Sequence, residues 1–153
     1  MRSASGALKQ GCIPACTALF VYSLDEINWR TLDMNREIDK KAIRWLHLLE
    51  SFDFSAVRTM CTQGATVWHN DGTGERTLDE KLKQLESLVP KVTSMRYDIT
   101  RQFWNGDEVL QQQVLHLLTP DGSRSEIHAA MYFRFRGDLI DRIEEYAYEA
   151  GGA

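Results

Sequence analysis

Cysteine is scarce in this chain: Cys12, Cys16 and Cys61 are the three among 153 residues. An odd number, with no second Cys/His pair near the first two, supplies neither a disulfide framework nor a metal-ligand spacing. A reducing, cytoplasmic setting is therefore the default expectation. Positive charge is also short: 18 Lys and Arg stand against 22 Asp and Glu, for a net charge of −4. The basic residues are dispersed rather than striped, which speaks against a nucleic-acid partner. No glycine-rich phosphate loop is present, so neither a nucleotide cofactor nor a metal is expected. Long apolar runs are missing too. The longest, Ile13 to Tyr22, is too short to span a bilayer, so no membrane partner is expected. It follows Arg2 and Lys9 as a signal-peptide core would, but no small-residue cleavage site comes after it, and Pro14 spoils a lipobox at Cys16.

What is present is ordinary for one globular domain. Hydrophobic residues make up 43% and charged residues 26%, and the length suffices for a sizeable core. Residues 1–33 carry no recognisable pattern and read as a disordered extension. Met34-Asn-Arg-Glu looks like a native start, so the domain is expected over 34–149, with a short tail at 150–153.

From Asn35, a plausible N-cap, the period is helical: Ile38, Ala42, Trp45, Leu46 and Leu49 repeat at three and four. Asp53 can cap a second helix, Phe54 to Cys61, closed by Gln63-Gly64. Thr77-Leu-Asp-Glu80 is a capping box opening a third helix with Leu78, Leu82, Leu85 and Val89 on one face; Pro90 ends it. Beyond Pro90 the period is two. Met95, Tyr97, Ile99 and, less cleanly, Phe103 share a face. Asn105-Gly106 is a hairpin turn. The next strand, Glu108 to Leu118, has two faces of nearly equal apolar content, so periodicity does not orient it. Ser125 to Arg136 alternates cleanly, with Ile127, Ala129, Met131, Phe133 and Phe135 inward. In the last strand Ile140 and Ile143 stand three apart, which predicts a bulge. That bulge decides whether Glu144 or Glu145 points inward.

The stretch Ala65-Thr-Val-Trp-His-Asn-Asp-Gly72 is the richest in chemistry. It begins as a strand of β-formers and ends in a turn. Alternation separates Trp68 and Asn70 from His69. With Trp68 taken as inward, His69 and also His128 fall on the outside, as surface or interface residues. Polar side chains at a strand end beside an apolar core suit the lip of a pocket.

The order helix, helix, strand, helix and four strands predicts an α+β fold, a cone-shaped curved antiparallel sheet with three helices on its concave face. The chain here resembles the SnoaL-like branch of the nuclear transport factor 2-like superfamily, over about Met34 to Glu149. The carriers are Val67-Trp-His-Asn70, the Thr77 helix, and Phe133-Arg-Phe-Arg-Gly-Asp-Leu-Ile140 followed by Arg142-Ile-Glu-Glu-Tyr146. The superfamily includes ketosteroid isomerases, polyketide cyclases, limonene epoxide hydrolases and members without chemistry, so the fold does not settle the function. Trp68-His-Asn70 resembles the aromatic-x-Asn of limonene epoxide hydrolases, and Glu145-Tyr146 their carboxylate before a Tyr. Their Arg–Asp pair has no counterpart in Gln112-Gln-Val-Leu-His116, which argues against the same hydrolysis. Asp71, with Asn70 as the other candidate, stands where ketosteroid isomerases place a base. Met131 stands where they place an oxyanion-hole Asp. The resemblance also implies a homodimer, and His128 and Tyr132 on the outer sheet face suit one.

Two classes follow. The first is an enzyme performing isomerisation, cyclisation, dehydration or hydrolysis on an apolar oxygenated molecule. Its candidate acid/base groups are Glu145, Asp71 and His116, with Trp68, Asn70, Tyr97, Gln113 and Met131 around the substrate. The second is a non-catalytic binding or dimerisation module, in which aromatic side chains fill the cavity and no polar pair converges.

Overall fold

The computed structural model describes residues 29–150, with side chains described from residue 37. Helix α1 spans Trp29–Glu50. It starts before Asn35, which is an interior residue rather than a cap, and so runs across the expected domain boundary at 33/34. Residues 1–28 and 151–153 lie outside the described residues. The apolar stripe of α1 is buried as its period requires: Ile38, Ala42, Trp45, Leu46 and Leu49 all join the core. The helix closes without a glycine. Phe52 adopts a left-handed φ of 56°, while the Phe52 and Asp53 N–H groups donate to the Leu49 and Leu48 carbonyls, each at 2.9 Å. These two bonds satisfy the last carbonyls of the helix. A bulky residue in this conformation costs about 1–2 kcal/mol.

Asp53 caps α2, Phe54–Thr59, by accepting from the Ala56 N–H. The helix ends before the expected stop at Gln63-Gly64, and both those residues belong to β1, Cys61–His69. The Met60 carbonyl accepts from Ile140 N–H at 2.9 Å, drawing the chain into the sheet at once. A short strand that the turn residues conceal, β2 (Gly74–Thr77), pairs back on β1. Helix α3, Leu78–Glu86, then opens on the Thr77–Glu80 capping box. A single 3-10 turn at Val89–Lys91 follows, then β3 (Ser94–Asn105), β4 (Glu108–Leu118), β5 (Arg124–Arg136) and β6 (Leu139–Glu149).

The six strands form one curved, unclosed sheet in the order β2-β1-β6-β5-β4-β3. All pairs are antiparallel but one: β1 and β6 run parallel. The sheet is therefore mixed rather than antiparallel. Tight turns announce antiparallel neighbours, whereas this pair joins distant parts of the chain and leaves no local signal. The three helices cover the inner face. Trp45 of α1 meets Phe133 of β5 edge to face, with ring centroids 5.7 Å apart.

Two irregularities set which side chains face inward. In β3 the register shifts between Ile99 and Arg101. Phe103, expected inward, is consequently exposed, and Gln102 turns in to donate to Gln111 at 3.0 Å. Gln111 in turn donates to Gln113. The two buried amides, Gln111 and Gln113, and the half-buried Gln102 thus satisfy one another, as a core requires. In β6 the predicted bulge is present. Arg134 faces Arg142 and Phe135 faces Ile140, leaving Asp141 unpaired between them. Only 8% of Asp141 is exposed. Its carboxylate accepts from Arg134 at 2.8 Å, Arg136 at 3.1 Å and Thr62 at 3.1 Å. Past this residue the phase of β6 is reset, and Ile143 and Glu145 point inward.

The hydrogen bond from Arg134 holds the Asp141 carboxyl below the usual carboxylate range, with Thr62 and Arg136 adding to it against the opposing effect of burial. A depressed folded-state pKa gives stability that is complete above the unfolded value of about 3.9 and is lost as pH falls through the folded one. Asp141→Ala is expected to cost about 1–3 kcal/mol near neutral pH. The gap between the wild-type and variant melting temperatures should narrow as pH drops toward 3. Thermal melts across that range check this; a gap independent of pH would show that the carboxylate's charge is not what holds the bulge.

Candidate active site

Between the inner sheet face and the helices lies a cavity of about 300 Å³. Its walls are almost wholly apolar. Phe52 and Phe54 stand at the end of α1 and the start of α2, Leu85 and Leu88 on and after α3, and Leu115 and Met131 on the sheet. The strained backbone of Phe52 thus holds an aromatic ring on the cavity wall, 6.3 Å from that of Phe54.

Four ionisable side chains enter this lining: His69, Lys81, Tyr97 and Glu145. His69 is the last residue of β1 and pairs in the parallel ladder with Glu145 of β6. Direct lateral pairing puts both side chains on one face, and His69 Nε2 lies 3.0 Å from Glu145 Oε2. Each side chain is 17% exposed. The pair can share or pass a proton inside an apolar enclosure, which is what general acid/base catalysis asks of a site. Tyr97 of β3 also lines the cavity. Burial pushes its phenol well above the ordinary value, and the Glu145 and Glu50 carboxylates push it further. It is held as a neutral hydroxyl, a donor rather than a base. Glu50 anchors this strand by accepting from the Tyr97 N–H at 2.5 Å.

Of the expected site residues, the structure brings Glu145, Tyr97 and Met131 to the cavity and takes the others elsewhere. Trp68 is on the outer face of β1, packed on Tyr146 with ring centroids 5.0 Å apart. Asn70 exchanges two hydrogen bonds with the Ala147 backbone and ties the end of β1 to β6. Residues 65–70 alternate as expected but in the opposite phase: Ala65, Val67 and His69 face in. His69, expected at the surface, is therefore a cavity residue. His116 is on the outer face of β4, 3.0 Å from Asp98 and 3.1 Å from Glu126. Gln113 is buried, but it belongs to the glutamine chain and donates to the Met131 sulfur from behind the wall. Asp71 is an exposed turn residue bonded to the Thr73 hydroxyl and N–H, bonds that lower its pKa. Glu144 points out and accepts from Arg142.

Lys81 was not singled out by the sequence, although a signal was there. It lies three residues after Leu78 and four before Leu85, on the apolar stripe of α3. Burial lowers its pKa, while the charges of Glu145 and Asp71 act the other way. Among the described residues no group of three or more His, Cys, Asp or Glu side chains is placed to hold a metal ion, and no helix is long and apolar enough to cross a membrane. The Lys81 ammonium is expected to titrate below the exposed lysines. Glu145→Gln should lower it further by removing a supporting negative charge. An NMR titration of the lysine ε-methylene signals reads both; a Lys81 signal that titrates with the surface lysines would contradict the buried placement.

A family model described as a SnoaL-like domain matches residues 42–143. None of the curated protein sequences is significantly similar. Among solved structures, the chain is similar to PrhC from Penicillium brasilianum (TM-score 0.69, 14% identity, covering 75% of this chain and 82% of that one). It is also similar to an LEH-like epoxide hydrolase from M. tuberculosis (0.61, 18%, 78% and 85%). A third is a protein with a ketosteroid isomerase-like fold from Catenulispora acidiphila (0.61, 17%, 69% and 83%). At these identities the likeness speaks for the fold alone. With the model match spanning most of the chain and the cone of sheet and helices now described, the chain belongs to the SnoaL-like domain family of the nuclear transport factor 2-like superfamily.

Proposed function

We propose that this protein is a cofactor-independent enzyme that moves a proton at a carbon beside a carbonyl, isomerising or cyclising an apolar oxygenated substrate. The observation that carries the reading is the His69–Glu145 pair, 3.0 Å apart in a cavity whose remaining lining is apolar but for Lys81 and Tyr97. Enolisation needs a base at the carbon and a donor at the oxygen. Glu145 is the base in this reading. His69 steadies the carboxylate and accepts or returns its proton. The neutral Tyr97 hydroxyl is the donor to the developing oxyanion. The apolar walls exclude water, which strengthens each of these interactions. Hydrolysis of an epoxide is less well served: the β4 segment Gln112 to His116 contains no Arg–Asp pair, and its inward polar residue, Gln113, is already bonded within the core. A non-catalytic module is less well served too, because the cavity is open and a polar pair does converge in it.

Glu145→Gln should slow exchange of the substrate α-proton with D2O by at least about 100-fold, the lower end for a lost acid/base group. His69→Ala should slow it by a similar factor, while thermal melts stay close to wild type. Exchange followed by NMR over a panel of enolisable ketones measures this. Exchange at an equal rate in wild type and Glu145→Gln, or none with any ketone, would remove the enzyme reading.

The same reading includes a homodimer through the outer sheet face. Tyr148, 65% exposed, stacks there on His128 with ring centroids 5.4 Å apart, and Tyr146 is exposed beside Trp68. Light scattering should give twice the chain mass, falling to one chain in Tyr148→Arg; a monomeric wild type would refute the dimer.

A further inference from the structure

Lys81 is a cation with nothing opposite it. The other lysines and arginines that are not solvent-exposed have partners: Lys41 with Asp138, Arg76 with Gln84, Arg134 with Asp141, and Arg142 with Glu75 and Glu144. No hydrogen bond or ion pair engages Lys81 among the described residues. Its side chain nevertheless enters a cavity whose walls are apolar. Placing an ammonium group there is costly unless something pairs with it. The charged groups around it come from four elements. Glu145 of β6 stands opposite His69 of β1. Asp71, in the turn after β1, is held by Thr73. Arg76 of β2 is like-charged. The two nearby carboxylates are thus engaged elsewhere, and neither lies within 4 Å of the lysine nitrogen.

We propose that the cavity takes apolar molecules bearing an anionic oxygen, a carboxylate or an enolate, and that the Lys81 ammonium holds that oxygen. This deepens the proposed function and rests on it only in taking this cavity as the ligand site. An enolate is what proton removal by Glu145 produces, so a lysine at its oxygen would favour the intermediate. A carboxylate would instead use the same cation to anchor a substrate by its polar end. The cavity, about 300 Å³, is at the small end of the range for small-molecule sites, and one medium-length chain or a small ring system suits it.

Calorimetric titration of the full chain tests this with three probes: decanoate, decanol, and an alkyl-substituted cyclic 1,3-diketone that is ionised near neutral pH. At least one anion is expected to bind about ten- to hundredfold tighter than decanol, the span of a charge-assisted hydrogen bond; which one does so separates carboxylate from enolate. Lys81→Met should erase that preference while leaving decanol binding in place, and Lys81→Arg should keep it. In wild type the anion should also raise the Lys81 titration seen by NMR, a readout that needs no variant to fold. Equal binding of all three probes, or a preference that survives in Lys81→Met, would overturn the proposal. Glu145→Gln distinguishes this failure from that of the enzyme reading: it should abolish α-proton exchange and keep or strengthen anion binding. A preserved anion preference without exchange in wild type would discard the catalysis and retain the ligand class.

Discussion

The phase of β6 depends on one extra residue, and the site depends on that phase. Strict alternation from Ile140 would send Arg142 and Glu144 inward with it. Asp141 interrupts the ladder, and two arginines and a threonine hold its carboxylate. Beyond it Ile143 fills the core and Glu145 reaches the cavity. Bulges near sites commonly re-aim a side chain, and here the re-aimed group is the carboxylate. The bulge is charge-held rather than packed, so the geometry of Glu145 is linked to the ionisation of a residue four positions away.

The cavity concentrates features that work against stability. Phe52 occupies a left-handed conformation, Lys81 carries a charge among apolar side chains, and a histidine and a glutamate share a mostly buried corner. The core beneath compensates: Leu46, Val57, Leu82, Phe133 and Ile143 are essentially inaccessible. The glutamines of β3 and β4 show the contrasting case, for Gln102, Gln111 and Gln113 bond to one another and leave little for a ligand. A satisfied polar chain stiffens a core, whereas an unsatisfied charge invites a partner.

Much of the fold was legible because it is locally encoded. The stripe from Ile38 to Leu49, the capping box at Thr77 and the alternation of Ile127 to Phe135 each carry their periodicity within a few residues. Even the β6 bulge showed as the three-residue gap between Ile140 and Ile143. Local reading failed where the signal was absent or symmetrical. Strand β2 is too short to alternate, and Phe103 sits beyond a shift that nothing near it marks. In residues 65–70 both phases satisfied alternation. The size of Trp68 suggested the core, while Tyr146 across the β1–β6 boundary gave it a place outside.

The sequence by itself determined the types of the elements other than β2, the family and the inward placement of Met131 and Tyr97, because period, caps and turns act between near neighbours along the chain. It also marked Glu145 as one of two alternatives. Only the tertiary structure decided that His69 is its companion. That contact exists because β1 and β6 pair in parallel, and His69 and Glu145, 76 residues apart in sequence, are brought together by a ladder for which no local rule of spacing exists.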